Sequence, residues 1–158
     1  MKEFTFHTEL WLPRPRDEVF AFFANAHNLQ TITPPWLNFE VLTPQPITMR
    51  PGALIDYRIR VHGLPIRWRT EITEWNSPHR FVDRQIRGPY TLWHHTHTFE
   101  ESGGATLCKD EVRYRPRGGS LVNWLLVRRD VERIFAFRTE RRADIFREKG
   151  ASTKLPIA

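Results

Sequence analysis

The sequence predicts an α+β fold: a curved antiparallel sheet of about seven strands wrapped around one long C-terminal helix, with two short helices after the first strand. Three observations carry this. Between residues 39 and 115, successive segments alternate apolar and polar side chains and are separated by turn residues. After Pro116 the apolar period changes to steps of three and four and holds to about Glu148. The 158 residues are 40% hydrophobic and 13% aromatic, enough for one buried core and a poor match to disorder or a coiled coil.

Residues 3–12 alternate as a first strand should, and Pro13 and Pro15 end it. Asp17 and Glu18 suit the first turn of a helix, where acids meet the positive end of the dipole, and Val19, Phe22, Phe23 and Ala26 follow at helical spacing. A second short helix over Asn28–Ile32 stops at Pro34-Pro35. Strands are then expected at Phe39–Thr43, Ala53–His62, Ile66–Trp75, Arg80–Arg87, Tyr90–Glu101 and Ala105–Arg115. Gly63-Leu64, Asn76-Ser77-Pro78, Gly88-Pro89 and Ser102-Gly103 supply the breaks. Ser120 reads as the N-cap of the final helix, whose stripe carries Val131, Ile134, Phe135, Arg138, Arg142 and Ile145, and Gly150 reads as its stop. No repeat or linker divides the chain, so residues 1–150 are expected to form one domain and 151–158 a loose tail.

Composition narrows the function. A single Cys excludes an internal disulfide and a Cys-based zinc cage. The net charge is +6, but the bases stand beside acids, as in Glu132-Arg133 and Arg147-Glu148, and no run of five like charges occurs. That is the pattern of a solvated surface, and no nucleic-acid partner is expected. Neither a long apolar segment nor a secretory h-region at Met1-Lys2-Glu3-Phe4 is present, so the expectation is a cytoplasmic protein without stable membrane insertion.

Phe81-Val82-Asp83-Arg84-Gln85-Ile86-Arg87-Gly88-Pro89-Tyr90, continued by Trp93-His94-His95-Thr96-His97-Thr98-Phe99, then Asp110-Glu111-Val112-Arg113-Tyr114 and Phe137-Arg138, resembles the SRPBCC superfamily, the START-like and birch-pollen-allergen-like helix-grip proteins. The resemblance spans about Phe4 to Arg147 and lies nearest the ligand-binding, cyclase/dehydrase-like branch. It implies a largely apolar cavity between sheet and helix but no single reaction, because members include carriers, sensors, cyclases and hydrolases.

Turn positions predict the register. A two-residue turn at Ser102-Gly103 sets His97 opposite Cys108, His95 opposite Asp110 and Trp93 opposite Val112. A three-residue turn at Gly88-Pro89-Tyr90 sets Asp83 opposite His95 and Gln85 opposite Trp93. A turn at Gly63-Leu64 sets Tyr57 opposite Thr70 and Ile59 opposite Trp68. Asp83, Gln85, His95, His97 and Asp110 then share the inner face with Ile55, Tyr57, Trp68, Ile72, Phe81, Trp93 and Phe99. Asp83, His95 and Asp110 form a row across three strands, with paired Cβ atoms about 4.5–5.5 Å apart. Buried ionisable groups need one another, water or a ligand. The row reads as a structural network, a ligand-binding set or a proton-transfer device centred on His95.

Tyr57, Trp68, Gln85, Trp93, His97, Tyr114 and Arg138 are the candidate ligand contacts, with the Arg138 fork aimed at a carboxylate of Asp83, Asp110 or a ligand. His95 and His97 with Cys108 are a weak metal-ligand pattern, and neither metal nor cofactor is expected. The leading functional reading is binding of a small, apolar or aromatic organic molecule. The alternatives are a polyketide-cyclase/dehydrase-like enzyme using the Asp-His-Asp row and a lipid or quinone carrier gated by Ile32–Leu37. Enzyme status, ligand identity and oligomeric state stay open at this level.

Overall fold

Seven antiparallel strands form a single sheet in the order β1-β7-β6-β5-β4-β3-β2. They are β1 (Phe4–Leu12), β2 (Glu40–Val41), β3 (Leu54–Val61), β4 (Leu64–Asn76), β5 (Arg80–Arg87), β6 (Tyr90–Ser102) and β7 (Ala105–Pro116). Between β1 and β2 lie α1 (Arg16–Phe23), α2 (Asn28–Thr31) and a 3₁₀ turn, Pro35–Leu37. This is a computed structural model that describes residues 1–152, with side chains through Glu148. Among the described residues, no helix is long and apolar enough to cross a membrane.

After β7 the chain is helical without interruption: α3 (Gly119–Val122), a π-helical turn at Asn123–Val127, and α4 (Arg128–Ser152). Two details differ from expectation. The rod starts one residue before Ser120, with Gly118 at the cap position and no side-chain cap bond. Gly118 and Gly119 both have positive φ, and this bend turns the chain where a serine cap was expected. Gly150 does not stop the helix, which continues to Ser152, so Ala151 and Ser152 are helical rather than tail. Residues 153–158 of the expected tail lie outside the described residues.

The expected strand at Phe39–Thr43 shrinks to Glu40–Val41. Beyond it the N–H groups of Leu42 and Thr43 share the single carbonyl of Asp56, at 2.7 and 3.3 Å, and the ladder cannot continue. Between β4 and β5 a bulge falls after the Ile72–Asp83 pair, and the next pair is Glu74–Val82. One extra residue on β4 bends the sheet, and the side-chain alternation resumes with Trp75 packed on Phe20 and Phe81.

Two hairpin turns lie one residue away from their expected places. Two-residue loops favour positive φ at both central positions, which matches the strand twist. The β6–β7 turn uses Gly103 and Gly104 (φ 60° and 76°), and the β3–β4 turn uses His62 and Gly63 (φ 49° and 80°). The expected turns would have put Ser102 or Leu64 in the left-handed region, where L side chains are strained and a β-turn prefers glycine or, less often, residues such as histidine. Each one-residue displacement moves every cross-strand partner by two. Tyr57 therefore faces Trp68, Ile59 faces Ile66, His97 faces Asp110, His95 faces Val112 and Trp93 faces Tyr114. Because the shift is even, each residue keeps its expected face of the sheet. The β5–β6 pairing of Asp83 with His95 is as expected.

Candidate functional site

A cavity of about 530 Å³ lies between the concave face of the sheet and α4, within the usual size of a small-molecule site. Tyr57, Trp68, Ile72, Phe81 and Trp93 wall it from the sheet, and Ile134, Phe135 and Arg138 from the helix. Thr33, Trp36 and Leu37 stand at one side, where the half-exposed Trp36 ring packs on Phe137 at 5.8 Å and under the Arg133 guanidinium. The expected gate segment thus borders the cavity.

The polar floor comes from three adjacent strands. His95 Nε2 lies 2.9 Å from Asp110 Oδ1, and His97 Nε2 lies 2.8 Å from Asp83 Oδ2. His97 Nδ1 is 3.2 Å from Asp110 Oδ1, and His95 Nδ1 is 3.9 Å from Asp83 Oδ2. Each carboxylate thus touches both imidazoles, whose rings lie 3.7 Å apart, centroid to centroid. Arg142 Nη1 donates to the second oxygen of Asp110 at 2.9 Å, and both side chains are almost closed to solvent. Asp83, His95 and His97 line the cavity, whereas Asp110 and Arg142 lie behind them.

The electrostatics follow from burial and pairing. Burial acts first on Asp110, disfavouring its charge, but the Arg142 guanidinium and the two imidazoles outweigh it and hold the carboxyl well below the usual range. Asp83 is also lowered, because bonding to His97 and the charges around it overcome desolvation. Burial and the neighbouring His97 push His95 below the ordinary histidine value, so it stays neutral. His97 is also desolvated, but its bonds to Asp110 and Asp83 win and leave it raised.

The sequence row therefore becomes a closed cluster of two acids, two histidines and an arginine. The even register shift brings His97 opposite Asp110 and lets one carboxylate serve both rings. It also moves Cys108 opposite Phe99, into the core beside Leu12 and Phe20, so the metal set of His95, His97 and Cys108 does not assemble.

Sequence reasoning singled out Arg138 and passed over Arg142 on the same stripe. The structure gives Arg142 the ion pair with Asp110 and leaves the Arg138 guanidinium at the cavity wall, 5.3 Å over the Phe135 ring. Its Nε is buried without a hydrogen-bond partner. Thr70 was also unassigned, although the alternation put it on the inner face. Its hydroxyl oxygen accepts from Tyr57 Oη at 2.6 Å and from Trp68 Nε1 at 3.1 Å.

Two of the predicted contacts do not line the cavity. Gln85 folds back on its own hairpin, donating to the Tyr90 carbonyl at 2.7 Å and accepting from the Tyr90 N–H at 3.2 Å. A Cβ at Gly88 would fall 2.4 Å from its Oε1, so a larger residue there would push the Gln85 amide out of this clamp. Tyr114 is fully covered, packed among Phe4, Trp93, Val131 and Phe135.

A family model described as "Polyketide cyclase / dehydrase and lipid transport" matches residues 12–138. No curated protein matches the chain by sequence. Among solved structures, the chain is similar to the Zhui aromatase/cyclase from Streptomyces sp. R1128, with TM-score 0.74 and 13% identity over 94% of this chain and 96% of that one. Ara h 8.0201 aligns with TM-score 0.69 and 14% identity over 93% and 99% of the two chains. Protein Ms6760 from Mycobacterium smegmatis aligns with TM-score 0.66 and 17% identity over 93% and 92%. At these identities the likeness is one of fold.

Proposed function

Because the chain belongs to the polyketide cyclase / dehydrase and lipid transport family of the SRPBCC superfamily, we propose that it binds a small, largely hydrophobic organic molecule between the sheet and α4. The observation that carries this reading is the cavity itself: about 530 Å³, walled largely by aromatic and aliphatic side chains, with Asp83, His95, His97 and Arg138 among its polar lining. Apolar contact with those walls would contribute on the order of 25 cal/mol per Å². Asp83, His95, His97 and Arg138 would orient the guest. The Arg138 fork, with a buried nitrogen lacking a partner, favours a guest that carries a carboxylate or enolate oxygen.

A second reading is supported by the imidazoles at the floor. In a cyclase/dehydrase-like reaction, neutral His95 would accept a proton from a carbon beside a carbonyl, and Asp110 would steady the resulting charge. Tyr57 and Trp93 would shape the substrate.

Native mass spectrometry of freshly purified protein, followed by titration with a fluorescent apolar probe, tests the binding reading. Expected is a retained small molecule or saturable probe fluorescence, with probe binding lost in Ile134→Trp, which fills the cavity from the helix. A folded protein that neither retains a guest nor binds the probe, or an Ile134→Trp variant that binds it unchanged, overturns the proposal. His95→Ala separates the readings: a binder keeps its affinity, whereas an enzyme loses conversion of a carbonyl substrate that still binds. A lipid carrier would instead be recognised by an extracted acyl lipid in the mass spectrum.

A further inference from the structure

We infer that Asp83, His95 and His97 form a binding site for one divalent transition-metal ion on the cavity floor, with Asp110 orienting both imidazoles from behind. Asp83, His95 and His97 each offer one ligand atom, and these atoms all lie within 4.8 Å of one another. Asp83 Oδ2 stands 2.8 Å from His97 Nε2 and 3.9 Å from His95 Nδ1. Ligands bound about 2.0–2.2 Å from a zinc-like ion stand about 3–3.6 Å from one another, so the two distances straddle the requirement.

The rest of the cluster is arranged as a support for such an ion. The other ring nitrogens, His95 Nε2 and His97 Nδ1, both turn to Asp110 Oδ1, at 2.9 and 3.2 Å. Without an ion, the opposite nitrogen of His97 donates its proton to Asp83 Oδ2 at 2.8 Å, and an entering ion would displace that proton and take the freed lone pair together with the carboxylate oxygen. Metal-bound histidines are typically oriented in this way, by a carboxylate on the non-ligating nitrogen. Asp110 is itself fixed by Arg142, so the support is rigid and its charge neutralised. Ion binding would release a proton from the cluster, as metal sites built from imidazole do.

The donor set identifies the class of ion. Imidazole and carboxylate together suit zinc, iron, cobalt or nickel, whereas magnesium and calcium favour all-oxygen sites. Asp83, His95 and His97 face the cavity and Asp110 and Arg142 do not, so three protein ligands would occupy one side of the ion and leave the cavity side open. A guest bearing an oxygen anion could then reach both the ion and Arg138. Strand geometry supplies the spacing: His95 and His97 alternate onto one face, and Asp83 stands directly opposite His95 on the neighbouring strand.

Titration of metal-free protein with Co²⁺, read by the visible absorption of the bound ion and followed by Zn²⁺ competition, tests the site without any organic guest. Wild type should saturate at one equivalent and release Co²⁺ to Zn²⁺. Asp83→Asn and His97→Ala should each abolish stoichiometric binding, and Asp110→Asn should weaken it by about 10- to 100-fold. Near-UV circular dichroism establishes that each variant is folded. Where a variant is not folded, the wild-type titration decides. A folded wild-type protein with no saturable Co²⁺ spectrum overturns the proposal. So does a one-equivalent spectrum that survives in folded Asp83→Asn and His97→Ala, which would mark an adventitious ion on exposed imidazoles such as His7, His27 or His79. Probe binding in the cavity needs no ion, so the two proposals fail separately.

Discussion

Arg142 on α4 donates to Asp110 on β7 at 2.9 Å, with side-chain exposures of 3% and 5%, and this ion pair ties the helix to the floor of the cavity. Its loss has two consequences of different size. Arg142→Met leaves a carboxylate buried without its strongest partner, which costs about 3–5 kcal/mol in comparable pairs. The double variant Arg142→Met/Asp110→Asn removes both charges and should recover part of that loss. Urea denaturation of the two single variants and the double variant measures the coupling. Purely additive losses would show that the pair is not the tie described.

Acid should unfold the protein through the same carboxylate. The folded-state value of Asp110 is held well below the ordinary 3.8 by Arg142 and the imidazoles, against burial. A lowered folded value stabilises the fold fully above the unfolded carboxylate range, and that contribution is lost as pH falls through the folded value. Metal-free wild type should therefore lose stability steadily below about pH 4, and Asp110→Asn, weaker at pH 7, should show a shallower acid limb. Thermal melts at a series of pH values measure both slopes. Parallel slopes would contradict the assignment.

Cys108 should be inert in the folded state. Burial beside Leu12 and Phe99 pushes its thiol up to about 12, so at pH 8 the thiolate is only about one part in ten thousand. Reaction with a thiol reagent at pH 8 should be absent over hours in native protein and prompt in denaturant. Fast labelling of folded protein would show that this part of the core opens readily.

Arg138 should distinguish guests by charge. A charge-assisted hydrogen bond contributes about 1.5–3 kcal/mol, so Arg138→Met should weaken binding of an aromatic carboxylate by about 10- to 100-fold while leaving its neutral amide analogue within about twofold. Isothermal titration with the matched pair measures this. Equal losses for both guests would mean that the arginine acts through packing on Phe135 rather than through charge.

Element order and side-chain facing were legible in the sequence because both are local. Alternation of period two gathers Asp83, His95, His97 and Asp110 on the face that carries Phe81 and Phe99, whichever partner stands across the ladder. The choice of partners was not local in this sense. It rested on where each turn of two residues begins, and Gly103-Gly104 and His62-Gly63 tolerate positive φ better than the neighbouring dipeptides do. Applied to the turn candidates, that preference would have found the register and, with it, the contact of His97 with Asp110.

Sequence alone determined that two acids and two imidazoles face inward on a curved sheet covered by a helix, since pleat and helical period act within a few residues. Tertiary structure alone decided that Arg142 rather than Arg138 reaches Asp110. The two arginines stand four residues apart on one stripe, so only the height at which α4 crosses the sheet selects between them, leaving the other guanidinium to the cavity.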